Sequence, residues 1–285
     1  MPGIKLFCCL VLTVLAAACV PEPVDDDSVP NFDPEENLMG QIQQDGVLKV
    51  AVEGAFEFWS SVDESGAGSG FTADLATLVA ESLGVEIEFI AAPTEAMGDL
   101  VTDGDVHLAF PMEPITEESL ENHAWSDPYW VAHARLLVTS DSSVEKVTDL
   151  GGIAVCEEIN EDTEPETAEL NGEATVTRGD CLELLSSGGA DAVLGPDVTL
   201  IHHMAGADGL RLVADELSTE GYSAMLALGT GGFAPFVDSV FAEADREGRW
   251  SDFYRRWITP PTGLPPPAHP NMTLEDAAAL FPASG

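Results

Sequence analysis

The chain has 285 residues, with 51 aspartates and glutamates against 10 lysines and arginines, a formal net charge of −41 and a pI near 4.1. That length is enough for two compact lobes, each with a buried core. A charge of this sign repels nucleic acid and anionic membrane surfaces, and it reads as a solvated acidic surface of the kind that salt screens within about 10 Å at 0.1 M.

Lys5 is followed by an apolar and small run from Leu6 to Ala18, too short to span a bilayer and of the length of a secretory signal. The run meets Cys19 in Leu15-Ala16-Ala17-Ala18-Cys19, which reads as a lipobox. Residues 1–18 are thus expected to be a signal peptide and Cys19 the lipid acceptor; plain cleavage at an Ala-x-Ala site is the other reading. Val20 to Glu36 is proline-broken and acidic, with Asp25, Asp26 and Asp27 in a row, so residues 19–45 are assigned to a lipidated acidic tether.

From Leu48 onward, short apolar strands alternate with helical patterns, the mark of parallel sheets built from βαβ units. Leu48–Val52 reads as the first strand, and Asp74–Leu83 as a helix stopped by Gly84. Val85, Ile87 and Phe89 alternate with Glu86 and Glu88 as a half-exposed strand; a helix near Glu95–Thr102 and a third strand, Val106–Phe110, follow. His107 in that strand is expected to be a packing histidine. The pattern restarts after Asp149-Leu150-Gly151-Gly152 with strands at Ile153–Cys156, Ala174–Arg178 and Asp191–Leu194 and helices at Cys181–Ser186 and Val198–Met204. His202 and His203 are adjacent in a helix and point about 100° apart, so they cannot share one metal, and no metal site is expected. A calcium loop over Glu157–Glu173 lacks the spacing and central glycine it would need. Tyr222–Leu228 reads as an extended return, and Phe233, Phe236, Val237, Val240 and Phe241, then Trp250, Phe253, Tyr254 and Trp257, mark two amphipathic helices. Residues 259–285 form a proline-rich tail whose patch Leu274–Phe281 could dock as a short helix or fray.

Cys8 and Cys9 lie inside the signal, which leaves Cys156 and Cys181. Two leftover thiols in an exported protein usually pair, and closing that loop stabilises by roughly 3 kcal/mol; two separate buried thiols are the alternative.

Gly70-Phe71-Thr72-Ala73-Asp74-Leu75-Ala76, then Ile115-Thr116-Glu117-Glu118-Ser119, then Ser126-Asp127-Pro128-Tyr129-Trp130 resemble, in that order and spacing, the first lobe of the bacterial extracellular solute-binding proteins of family 3. These are receptors that deliver amino acids to ABC importers. The resemblance covers about Gly46 to Ile258. It implies a two-lobed α/β fold of the periplasmic-binding-protein type II class, with a ligand cleft between lobes joined by two hinge strands. Lobe 1 would hold residues 46–131 and 225–258, and lobe 2 residues 132–224, closing over a ligand by hinge bending. The implied partners are a small-molecule solute and an importer permease. No cofactor, no nucleic acid and no membrane contact beyond the lipid anchor are expected, for a monomer held at the outer face of the cell membrane or in the periplasm. Cys156 followed by Asp180-Cys181-Leu182-Glu183 is similar to the actinobacterial glutamate-binding branch, which favours the disulfide.

Carried over residue by residue, Phe56 falls where the family has an aromatic that stacks on the ligand, and Trp59 where it has a phenylalanine. Met112 and Pro114, with Glu113 between them, stand at hydroxyl-bearing positions. The arginine that forks onto the ligand's carboxylate is Ser119. The aspartate that takes the amino group is Pro196, with Asp197 one place on. A free amino acid brings a carboxylate whose desolvation is expensive without a positioned arginine. The expected ligand is therefore cationic, or uncharged and partly apolar, with Phe56, Trp59, Met112, Glu113, Ser119 and Asp197 lining its site. The alternatives are a non-transport receptor or scaffold with a degenerate cleft and, less favoured, a dehydratase-like enzyme using Glu113, His107 or Asp197 as acid or base. No catalytic residue is assigned, because no nucleophile elbow, metal constellation or phosphate loop is present.

Overall fold

A computed structural model describes residues 29–158, 175–177 by backbone alone, 179–213, 216–270 and 272–280. The expected signal and lipid-acceptor residue Cys19 lie outside the described residues, as do Arg178 and positions 159–173 of the acidic stretch.

Helix α1 (Leu38–Asp45) precedes β1 (Val47–Val52), the ribbon β2 (Ala55–Phe56), β3 (Ser60–Val62), β4 (Gly68–Ser69), and helix α2 (Phe71–Leu83). Then come β5 (Glu86–Ala91), α3 (Thr94–Asp103), β6 (Leu108–Phe110), α4 (Glu117–Asn122) and β7 (Ala124–Trp125). Strand β8 (Trp130–Ala132) leads to β9 (Ala134–Thr139), β10 (Ala154–Glu157), β11 (Thr175–Thr177), α5 (Cys181–Ser187), β12 (Ala192–Pro196), α6 (Asp197–Gly206) and β13 (Leu210–Leu212). The chain returns through β14 (Glu220–Tyr222) to β15 (Met225–Leu226), α7 (Phe233–Arg246), α8 (Arg249–Trp257), α9 (Thr259–Thr262) and α10 (Leu274–Leu280).

The first sheet has the order β5-β1-β6-β15-β7 and the second β11-β10-β12-β9-β13. In the first, β1 runs parallel to β5 and β6, while the returning strand β15 is antiparallel to β6 and β7. In the second, β10 is parallel to β11 and β12, and β9 is antiparallel to β12 and β13. Burial follows position: β1 is buried on consecutive residues 50–52, as a central strand covered on both faces must be, whereas β5 at the sheet edge keeps the half-exposed alternation its glutamates predict.

The chain passes between sheets twice, through β8 and β14, which pair antiparallel with Gly221 opposite Val131. The Ser-Asp-Pro-Tyr motif knots these crossings together. Buried Ser126 donates its N–H to the Ala224 carbonyl and accepts the Ala224 N–H on Oγ, and Tyr129 N–H donates to the Tyr222 carbonyl. Trp250 of α8 donates its indole N–H to the Tyr129 carbonyl at 2.9 Å.

The other motif is equally architectural. Gly70 sits at φ 118, and a Cβ there would lie 2.6 Å from the Trp59 carbonyl oxygen, so only glycine lets α2 begin against that strand. Asp74 accepts hydrogen bonds from Trp257 Nε1 at 2.7 Å and Arg256 Nη1 at 2.9 Å, which ties α2 to α8.

Helix α1 occupies the end of the segment read as tether: Asn37 caps it, and Met39 and Ile42 enter the core beside Leu48 and Leu83. The tail docks as well. Ala277 and Ala278 of α10 are buried, Ala277 lies against Gly221 of the crossing ribbon, and Leu274 N–H donates to Asp127 Oδ1. Cys156 and Cys181 form a disulfide with a Cα–Cα distance of 5.3 Å, bridging β10 to the start of α5.

Candidate functional site

In open α/β sheets, ligands meet the loops beyond the carboxyl ends of the parallel strands. Here those are the loops after β1 and β6 in the first sheet and after β10 and β12 in the second. A short network fixes the first pair. Glu53, just past β1, accepts from both the backbone N–H and the hydroxyl of Thr94 on Oε1, each at 2.7 Å. The same hydroxyl oxygen accepts the Met112 N–H at 2.9 Å, so the segment after β6 hangs from the segment after β1. Nothing local in the sequence marks Glu53 or Thr94 for this role, since the fold brings together residues 41 positions apart.

The sequence-derived site residues fall into three places. Phe56, Met112 and Glu113 are half-buried at the ends of the first sheet's strands. Phe56 does not stand free: its ring centroid lies 4.2 Å from that of His202 on α6, at 37°. Burial pushes the Glu113 carboxyl above its ordinary range, and the charge of Glu95 adds to the rise. Trp59 lies in the core, fully buried, stacked on Phe71 at 5.5 Å and edge-on to Trp130 at 5.1 Å. It therefore offers no exposed face.

Ser119 is the N3 residue of α4. Its hydroxyl receives the Thr116 N–H while Thr116 Oγ1 receives the Ser119 N–H, a reciprocal capping box. The side chain at the carboxylate-clamping position is thus occupied with its own helix end.

Asp197 opens α6 and faces elsewhere. It is 7% exposed and lines a cavity of about 220 Å³ with Trp130, His133, Arg135, Trp250 and Tyr254, roofed by the tail between Leu264 and Pro270. Burial raises its carboxyl to about 7, against the pull of the Arg135 guanidinium, the His133 backbone and the Trp130 side chain.

On the second sheet's side, His203 Nε2 meets Glu158 Oε1 at 2.7 Å, just past β10. Burial, then the neighbouring His203, lowers the affinity of His202 for a proton. The local charge is thus set by carboxylates, with imidazoles between them.

Every described arginine carries a carboxylate partner. Arg135 pairs with Asp197 and Glu216, Arg211 with Glu145, Arg246 with Glu243, Arg249 with Glu81, Arg255 with Asp252 and Arg256 with Asp74. Among the described residues, no arginine stands without a carboxylate neighbour, although Arg135 keeps its buried Nε N–H without an acceptor.

The sequence profile of the bacterial extracellular solute-binding proteins, family 3, matches residues 48–260. The chain belongs to this family. A probable histidine-binding protein of Neisseria gonorrhoeae is 21% identical over 228 residues, covering 74% of this chain and 83% of its own length. The glutamine-binding protein of an ABC transporter in Bacillus subtilis is 26% identical over 203 residues, covering 68% of this chain and 74% of its own. Among solved structures, a mutant of ArgBP from T. maritima superposes with a TM-score of 0.58 at 26% identity, covering 78% of this chain and 99% of that one. This family 3 chain has the type II architecture, and its relatives are amino-acid-binding proteins of transporters.

Proposed function

We propose that the protein is a lipid-anchored receptor, attached through Cys19 at the outer face of the cell membrane or in the periplasm, that captures a small solute and delivers it to an ABC importer permease. Lobe 1 comprises residues 46–131 and 225–258 and lobe 2 residues 132–224, with the ligand between them and the chain acting as a monomer. The solute is not a standard α-amino acid. It is a cation, or an uncharged and partly apolar molecule, held at Phe56, Met112 and Glu113, with the imidazole of His202 as the opposing surface.

One observation carries this reading. The side chain at the clamp position, Ser119, caps α4, and each described arginine already faces a carboxylate. The relatives named for histidine and glutamine handle a ligand with an α-carboxylate; an unpaired buried carboxylate would be disfavoured strongly here. Glu113, Glu53 and Glu158 instead favour a positive or neutral guest. Catalysis forms no part of the proposal.

Mass spectrometry of solute retained by protein purified without denaturation tests it. A retained amine or neutral solute is the expected result, whereas a retained free α-amino acid would overturn the ligand class while leaving the transport role standing.

A further inference from the structure

The cavity beside Asp197 lies apart from the strand-end loops. Phe56, Met112, Glu113, Ser119 and Glu158 contribute nothing to its lining, which comes from β8, His133, β9, α6, Leu212 of β13, Glu216, α8 and the tail. Its roof, Leu264 to Pro270, stands beyond residue 260, where the family match stops. We infer that this cavity is a second binding site, for a small organic ammonium ion that carries a hydrogen-bond acceptor next to its charge, as an amino alcohol does.

Two lining side chains hold polar atoms that nothing in the protein satisfies: Asp197 Oδ1 and Arg135 Nε are buried without a hydrogen-bond partner, while the Trp130 indole N–H already serves the Asp197 carboxylate. Asp197 is 7% exposed and the Arg135 side chain 14%, with both of these atoms buried, so bulk water does not serve them. Native proteins seldom leave such groups unpaired. Arg135 does not close the gap itself, because its Nε stands 3.8 Å from Asp197 Oδ2 while its Nη2 is hydrogen-bonded to Glu216. The missing partners are one donor for a carboxylate and one acceptor for an N–H, which is the pattern an ammonium with an adjacent hydroxyl supplies.

Charge and surface agree. Two carboxylates, Asp197 and Glu216, face one guanidinium, with His133 3.7 Å from Glu216. The walls include Trp130, Trp250 and Tyr254, and aromatic rings suit a cation. The size limits the guest: about 220 Å³ is roughly the liquid volume of seven waters and falls below the range of drug-sized pockets. An ammonium also holds Asp197 ionised. With Arg135, His133, Glu216, Tyr222 and Tyr254 as the charged or titratable groups around that carboxyl, affinity rises as pH passes through neutrality.

The test uses the full chain and ethanolamine hydrochloride, with ionic strength held constant by sodium chloride, read by thermal shift and calorimetry. Saturable binding is expected, weakened at least tenfold in Asp197→Asn and unchanged in Asp103→Asn, which removes an exposed carboxylate of α3. The parent protein should bind ethanolamine severalfold more tightly than n-butylamine, which lacks an acceptor for Arg135 Nε. Should Asp197→Asn fail to fold, Ala268→Trp fills the cavity from its exposed roof and should abolish binding. Ethanolamine indistinguishable from sodium chloride, or bound equally well by Asp197→Asn or Ala268→Trp, would overturn the inference and leave the cavity to water. None of these outcomes bears on which solute the cleft takes.

Discussion

The Ser119 hydroxyl closes a capping box, so an arginine at that position would exchange one helix-end hydrogen bond for a free guanidinium. Thr116 remains as the cap, and the loss should be about 0.5–1 kcal/mol of stability by chemical denaturation. Ser119→Arg is accordingly predicted to bind free α-amino acids at least tenfold more tightly than the parent protein, measured by calorimetry; an unchanged affinity would mean that Ser119 does not face the ligand. A second residue-scale prediction concerns Asp238, whose Oδ1 accepts the Asp127 N–H at 2.7 Å and whose carboxyl is raised to about 6, by burial first and then by the charge of Asp127. The unfolded carboxyl ionises near 4, so between about pH 4 and 6 the unfolded state binds fewer protons and stability falls as pH rises. Asp238→Asn should flatten that decline by on the order of 1 kcal/mol after solvent screening of this partly exposed carboxyl, seen in denaturation midpoints at pH 4 and pH 7. At this scale the sequence was informative about residue type and silent about direction. Asp197 was visible one place past the family's aspartate position, but that single step at the start of α6 turns it into the roofed cavity.

Elements were legible where period and punctuation agreed. α2, α7 and α8 follow from their apolar spacing, and the edge position of β5 from its alternating glutamates. Helix α1 was not, because Leu38–Asp45 has just two buried large side chains and follows an acidic, proline-broken run. Strand β9 was missed for the opposite reason: Ala134–Thr139 continues directly from the crossing strand β8, with only His133 between them. Two predictions belong here. Gly70→Ala should destabilise by roughly 2 kcal/mol or more, read from chemical denaturation, since the φ of 118 and the Trp59 carbonyl both exclude a Cβ. Reducing the Cys156–Cys181 bridge, whose partners are 25 positions apart, should lower stability by about 3 kcal/mol in the same measurement.

For the molecule as a whole, both crossing strands are fastened by the Ser126 and Tyr129 backbone bonds and backed by α10, while α6 reaches across to the first sheet's core through Val198, Ile201 and the His202–Phe56 contact. On the proposed reading, a solute that stacks on Phe56 must first separate that aromatic pair. A net charge of −41 acts on every such closure, and the melting temperature should rise with sodium chloride between about 0.01 and 1 M as self-repulsion is screened. The two-lobed plan was readable from three motifs, two of which, Gly70–Ala76 and Ser126–Trp130, hold elements together through Gly70, Asp74 and Ser126. The central claim is a cleft without a cation for a ligand's acid group. It is met most directly by calorimetric titration with matched pairs, arginine against agmatine and histidine against histamine, in the parent protein and in Asp197→Asn to exclude the cavity. The account predicts saturable binding confined to the decarboxylated partner of a pair; tighter binding of the intact amino acid in either pair would contradict it.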